Sequence, residues 1–165
     1  MNINVYDLTE KNVELNISAE LLKIFKNKMP VVLCLGNDKV LSDSVGVLVA
    51  EKLRETGYNN YVFGGFCNPL NKDNLMCILK KFPNQNFLFI DSSLSDFKNK
   101  IVLNKKQIKL SNGKVFNGVS LFASTISQKN GKLILAGTKF NKVLQFANII
   151  ARAVDIFSGY AEILK

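Results

Sequence analysis

Two aspartates stand where residue type and spacing offer chemistry. Asp43 lies in the stretch Gly36-Asn-Asp-Lys-Val-Leu-Ser-Asp43-Ser-Val-Gly46, which follows the apolar run VVLCLG over 31–36. Asp91 closes a second apolar run, NFLFID over 86–91, and is followed by Ser92 and Ser93. Two carboxylates held over one crevice can share a proton, one acting as acid and the other as base towards a water, because neighbouring like charges push their pKa values apart. Equally, the pair Asp43 and Asp91 can hold a divalent metal that polarises a carbonyl. Asn37, Asp38 and Ser92 are the further residues expected to line such a crevice and position a substrate. A purely local reading competes with this one. Ser42, Asp43 and Ser44 are all good helix N-caps, and Asp91 suits a strand end that caps the following turn.

The chain of 165 residues contains no histidine. A Ser-His-Asp triad, a Cys-His dyad, a HExxH zinc site and a His-based iron site are therefore excluded. Acid and base chemistry at neutral pH falls to Asp, Glu, Lys, Tyr, Cys or a bound metal. Gly36 and Gly46 are spaced for neither GxGxxG nor a phosphate-binding P-loop. A nucleotide held at the helix after Gly36 would also meet two aspartates that repel its phosphates.

The elements that must position these residues form a repeating pattern. VVLCLG reads as a short strand buried on both faces of a parallel sheet. VGVLVAEKLRETG (45–57) reads as an amphipathic helix ended by Gly57. The unit repeats as NYVFGG (60–65, strand), NKDNLMCILKKF (71–82, helix) and NFLFID (strand). Ahead of it, Ser18 is expected to cap a helix through AELLKIFKNK, stopped by Pro30. Beyond it, KIVLNKKQIKL (100–110) is expected as strand, turn and strand, an edge hairpin; 111–131 carries no assignment. GKLILAGT (131–138) is expected as a core strand and residues 141–164 as a long terminal helix. Together these predict an α/β fold: a three-layer α/β/α sandwich with a mostly parallel, doubly wound central sheet. One domain over 1–165 is expected, with 1–29 as an N-terminal extension carrying a helix. In such sheets ligands bind beyond the carboxyl ends of the strands where strand order reverses. If the strands ending near Gly36 and Asp91 are neighbours, Asp43 and Asp91 converge there.

Composition sets broader limits. A hydrophobic fraction of 47% and a charged fraction of 21% suit a globular domain. No apolar run approaches the ~18 residues that span a bilayer, and the first residues lack a signal-peptide core, so a cytoplasmic protein with no membrane partner is expected. The net charge of +9 is uneven: residues 1–97 hold 10 basic and 11 acidic groups, residues 98–165 hold 12 basic and 2 acidic. Lysine outnumbers arginine 20 to 2, and nucleic-acid readers favour arginine, so nucleic acid is not the expected partner. Cys34, Cys67 and Cys77 are expected as small buried hydrophobes in a reducing compartment.

The stretch Val31-Val-Leu-Cys-Leu-Gly-Asn-Asp-Lys-Val-Leu-Ser-Asp43-Ser-Val-Gly46 resembles the signature of the YyaC-type sporulation proteins. Further matches follow at Gly64, Pro69, Asn74-Leu75, Ile90-Asp91, Leu94 and Thr138-Lys139-Phe140. That family is similar in fold to the spore germination protease and the hydrogenase maturation endopeptidases. The resemblance implies that Asp43 and Asp91 occupy the positions of two functional carboxylates and that the substrate is a protein or peptide. It further implies a location in the cytoplasm of a sporulating cell or in the forespore. The nickel role of the maturation endopeptidases needs a histidine that this chain does not have. Asn71 stands where the family tends to have His, Cys67 and Asn68 where it tends to be acidic, and Leu41 and Ser95 where it has glycine. Two functions follow as expectations: an endopeptidase using the Asp43 and Asp91 pair, metal-assisted or not, and an inactive binding or scaffold protein of the same fold. Neither a definite cofactor nor an oligomeric state follows from the sequence.

Overall fold

The computed structural model describes residues 3–94, 99–109, 115–129, 132–134 and 138–164. Along the chain run β1 (Ile3–Asp7), α1 (Val13–Phe25), β2 (Val31–Cys34), a 3-10 turn (Leu41–Asp43), α2 (Val45–Glu55), β3 (Val62–Phe63), α3 (Lys72–Lys81) and β4 (Phe87–Leu94). They are followed by β5 (Lys100–Lys109), β6 (Val115–Lys129), β7 (Lys132–Ile134) and α4 (Phe140–Ile163).

The apolar runs of β2 and β4 become strands covered on both sides, and their alternation divides them between two cores. Val32, Cys34, Leu88 and Ile90 join the core beneath α1, α2 and α4. Val31, Leu33, Phe87 and Phe89 point the other way and pack under α3. This is the period-2 geometry of a pleated strand with a helical layer on each face. The main sheet is ordered β1-β5-β6-β4-β2-β3. β3, β2, β4 and β6 pair in parallel, while β5 runs against both β6 and β1. The sandwich and its mostly parallel sheet are thus as expected. Chain order reverses at β2: β3 pairs on one side of it and β4 on the other. Among the described residues no helix is long and apolar enough to cross a membrane.

Several local expectations are corrected. α1 starts at Val13, and Ser18 lies buried within it, with no hydrogen-bond partner for its Oγ among the described residues. Val13, Ile17, Leu21 and Phe25 carry the apolar stripe back through the helix, and burial of that stripe outweighs the capping preference of serine. Residues 100–109 are one strand between β1 and β6, since neighbours on both sides supply its ladder. The unassigned region holds β6, a strand between β5 and β4. Its buried Ser120, Ser124 and Thr125 hide the strand from a hydrophobicity reading. Of the expected core strand of 131–138, the described residues hold β7, which pairs β6 antiparallel off the main strand order; residues 131 and 135–137 lie outside the described residues. Cys34 is buried, but Cys67, in the loop after β3, and Cys77, on α3, are exposed free thiols, since among the described residues nothing packs over them. α4 buries Val143, Phe146, Ala147, Ile150, Ala151, Val154 and Phe157, as expected. Phe157 meets Phe25 of α1 at a ring separation of 5.9 Å.

Candidate active site

β2 stops at Cys34 while its neighbour β4 runs on to Leu94, past the expected end at Asp91, with a register shift between Ser92 and Leu94. The ladder supplied by β6 carries it further. Cys34 is level with Ile90, so Asp91 is the first β4 residue beyond the end of β2. The chain leaving β2 stays close: the Leu35 N–H donates to Ile90 O at 2.8 Å and the Gly36 N–H to Leu70 O at 3.3 Å. It then folds over itself, with the Asn37 N–H donating to Asp43 O at 3.1 Å and the Asp43 N–H to Val40 O at 2.8 Å. The Asn37 side chain accepts the Lys39 N–H at 2.9 Å, a local turn that fixes its Oδ1.

Two glycines make this fold-back possible. A Cβ on Gly36, whose φ is +152°, would run into the carbonyl oxygen of Asp43. A Cβ on Gly46 would run into the carbonyl oxygen of Leu35 and press on that of Ile90. Their spacing fits no phosphate motif because its purpose is close backbone approach: the first turn of α2 sits directly on the ends of β2 and β4. Asp43, at the end of the 3-10 turn, is delivered to the same place.

A cavity of about 500 Å³ results at the reversal point, and Asn37, Asp38, Asp43, Asp91 and Ser92 all line it. Every site residue expected from the sequence is therefore brought to one crevice. Lys39 and Asn71 also line it; Lys39 is not among the expected site residues, and Asn71 enters the sequence reading only as standing where the resembling family tends to have His. The signal for Asn71 was available: it closes the loop after β3, the third loop at this end of the sheet. Its Oδ1 accepts the Asn74 N–H at 3.2 Å while Asn74 Oδ1 accepts the Asn71 N–H at 2.9 Å, a reciprocal cap on α3. Cys67, Asn68 and Leu41 are exposed, and Ser95 lies outside the described residues.

The two aspartates differ in surroundings. Burial raises the Asp43 carboxyl above the usual carboxylate range, and the Asn37 backbone N–H, facing it, pulls the other way. Asp91 Oδ1 accepts the Ser92 N–H at 2.8 Å. Ser92 itself is buried, and its Oγ has no partner among the described residues. Asp43 is not the N-cap of α2; Ser44 is, and it makes no side-chain cap bond, turning its Oγ back to Leu41 O at 2.8 Å. The turn is held from behind. Thr125 Oγ1 donates to Ser42 O at 2.6 Å, and Thr138 Oγ1 donates to Thr125 O at 2.6 Å. Cys34, the last residue of β2, is wholly buried, and burial pushes its thiol far above the usual range, so it is no nucleophile. Among the described residues no three His, Cys, Asp or Glu side chains form a group that could hold a metal. A divalent cation here would rest on Asp43 and Asp91 with water completing its shell.

Residues 5–153 match the family described as "Protein of unknown function (DUF1256)". The chain belongs to this family. The DUF1256 match begins within β1 and ends within α4, so it takes in the N-terminal strand and helix as well as every element around the cavity. No curated protein matches the chain.

Proposed function

We propose that this protein is an endopeptidase of the sporulation type, cleaving a protein substrate in the cytoplasm of a sporulating cell or in the forespore. One observation carries the reading: Asp43 and Asp91 line one cavity at the reversal point of the sheet, in unlike surroundings. Asp43, raised by burial, is suited to hold a proton and deliver it to the leaving amide nitrogen. Asp91 takes the proton of the attacking water. The division of roles follows environment, as in other carboxyl pairs. Asn37, Asp38 and Ser92 position the substrate amide. The resemblance of 31–46 to the YyaC-type sporulation proteins supports the substrate class and the setting.

The second reading is an inactive binding or scaffold protein of the same fold. It is favoured by Asn71, which stands where those proteins tend to have His and whose side chain is engaged in capping α3. Incubation with total spore-protein extract separates the two. Wild type should generate new N-termini that neither Asp43→Asn nor Asp91→Asn generates. Unchanged cleavage by both variants would sink the aspartate mechanism, and binding without cleavage would establish the scaffold. A parallel series with chelator and with added Mg²⁺, Mn²⁺ or Zn²⁺ reads out metal assistance.

A further inference from the structure

Asp91 stands at the end of a row. Level with it across the sheet are Phe122 on β6, Val102 on β5 and Val5 on β1. Residues in register on paired strands share a sheet face, and this is the face that carries α3. Among the described residues α3 packs against the β3, β2 and β4 part of that face, over Phe63, Val31, Leu33, Phe87 and Phe89. Among the described residues no helix covers the remainder. Phe122 and Val102 are accordingly half-buried and Val5 is 42% exposed. Their strand neighbours on the opposite face, Leu121, Ala123, Ile101 and Leu103, are sealed beneath the helices. An apolar strip thus leads from one cavity carboxylate outward across three strands.

We infer that this row is the specificity subsite of the cavity. It seats apolar side chains of an extended polypeptide that lies across the strands and presents its amide to Asp43 and Asp91. The inference rests on the peptidase reading. Neighbouring strands are ~4.8 Å apart, so Phe122, Val102 and Val5 stand roughly 5, 10 and 14 Å from Asp91. An extended chain advances about 3.4 Å per residue and turns alternate side chains to the same side. The second residue from the cleaved bond therefore reaches the Phe122 and Val102 step, and the fourth reaches Val5, both on one side of the bond. The continuity of the strip with the cavity selects this occupant over a second copy of the chain.

Cleavage-site profiling of the full chain on a proteome-derived peptide pool tests the inference. Wild type should prefer apolar over Ser or Asp at the second and fourth positions by roughly 10- to 100-fold. Phe122→Lys should turn the second position towards acidic residues, a change that mere loss of structure does not produce. Val5→Lys, at an exposed site, should do the same at the fourth position and serves if Phe122→Lys does not fold. Asp43-dependent cuts without this preference, or a preference unmoved by the Lys variants, overturn the subsite and leave the peptidase reading standing. If wild type makes no Asp43-dependent cuts, the peptidase reading falls. Binding of the same peptides to Asp43→Asn by fluorescence anisotropy then decides the strip: affinity lost on Phe122→Lys or Val5→Lys supports it, and equal affinity for apolar and Ser-substituted peptides overturns it. Sedimentation showing a dimer abolished by Val5→Lys overturns the peptide occupant in favour of a second copy.

Discussion

Thr125 on β6 donates its hydroxyl to the carbonyl oxygen of Ser42 at 2.6 Å, and so ties the turn that ends in Asp43 to a strand more than eighty residues further on. Thr125→Val removes that bond and leaves a buried carbonyl without its donor, a loss of about 1–3 kcal/mol. Thr125 acts as a positioning residue, so the turnover number should fall about tenfold on any substrate cleaved by wild type, beyond what the melting shift explains. Thr125→Ser keeps the hydroxyl and should restore turnover. A serine variant no better than valine would show that the bond contributes stability alone.

Asp43 is expected to trade stability for function. Its native pKa lies above the unfolded value of about 3.9, so its contribution is fully favourable below that pH and is lost as pH rises through the native value. At neutral pH burial opposes the charge that the unfolded chain carries there, which is a net cost to folding. Asp43→Asn should therefore melt higher than wild type at pH 7, with a smaller difference at pH 4, while cleavage falls by at least about 100-fold. Scanning calorimetry at the two pH values checks the sign, and a difference equal at both removes the assigned cause.

Glycine substitutions should divide sharply by position. At Gly46 a methyl meets the backbone carbonyls of Leu35 and Ile90, and Gly46→Ala should destabilise by roughly 3 kcal/mol, the upper part of the overpacking range. At Gly159, within α4, nothing lies within 4 Å of the added atom. Gly159→Ala should gain about 0.5–1 kcal/mol from helix propensity. Urea midpoints of both variants read the contrast directly.

The edge strand β1 carries its own acid sensitivity. Asp7 pairs with Lys100 of β5 and accepts both the backbone N–H and the hydroxyl of Thr9, at 2.9 and 2.6 Å. Lys100 first, then Thr9, hold the carboxyl well below the usual range. The resulting stability is present above the unfolded carboxylate value and lost as pH falls below about 4. Wild type should lose more melting temperature than Lys100→Ala between pH 5 and pH 2. Parallel melting curves for the two proteins would show that the ion pair is fully screened.

How much was legible beforehand depended on where the determining interactions lie. β2, β4, α2 and α4 were readable because continuous apolar runs and helical stripes record burial locally. The alternation of strands and helices left their order around β2 as a condition, and the pairing of β2 with both β3 and β4 meets it and brings Asp43 and Asp91 to one crevice. The start of α1 was misread because Ser18 shows a capping residue type, whereas Val13 and Ile17 belong to a buried stripe visible only once α4 lies against it. β6 was unreadable because Ser120, Ser124 and Thr125 are polar yet buried between β5 and β4.

By itself, then, the sequence determined the absence of imidazole chemistry, the α/β alternation and the two carboxylates that follow β2 and end the apolar part of β4. The tertiary structure alone decided that β6 is the strand beside β4, that Phe122 is level with Asp91, and that Asp43 is half-buried and raised. The reason is physical. Burial of a stripe is written in one segment's residues, but strand register, close backbone approach at Gly36 and Gly46, and the desolvation of a carboxyl arise only when segments distant in sequence are packed together.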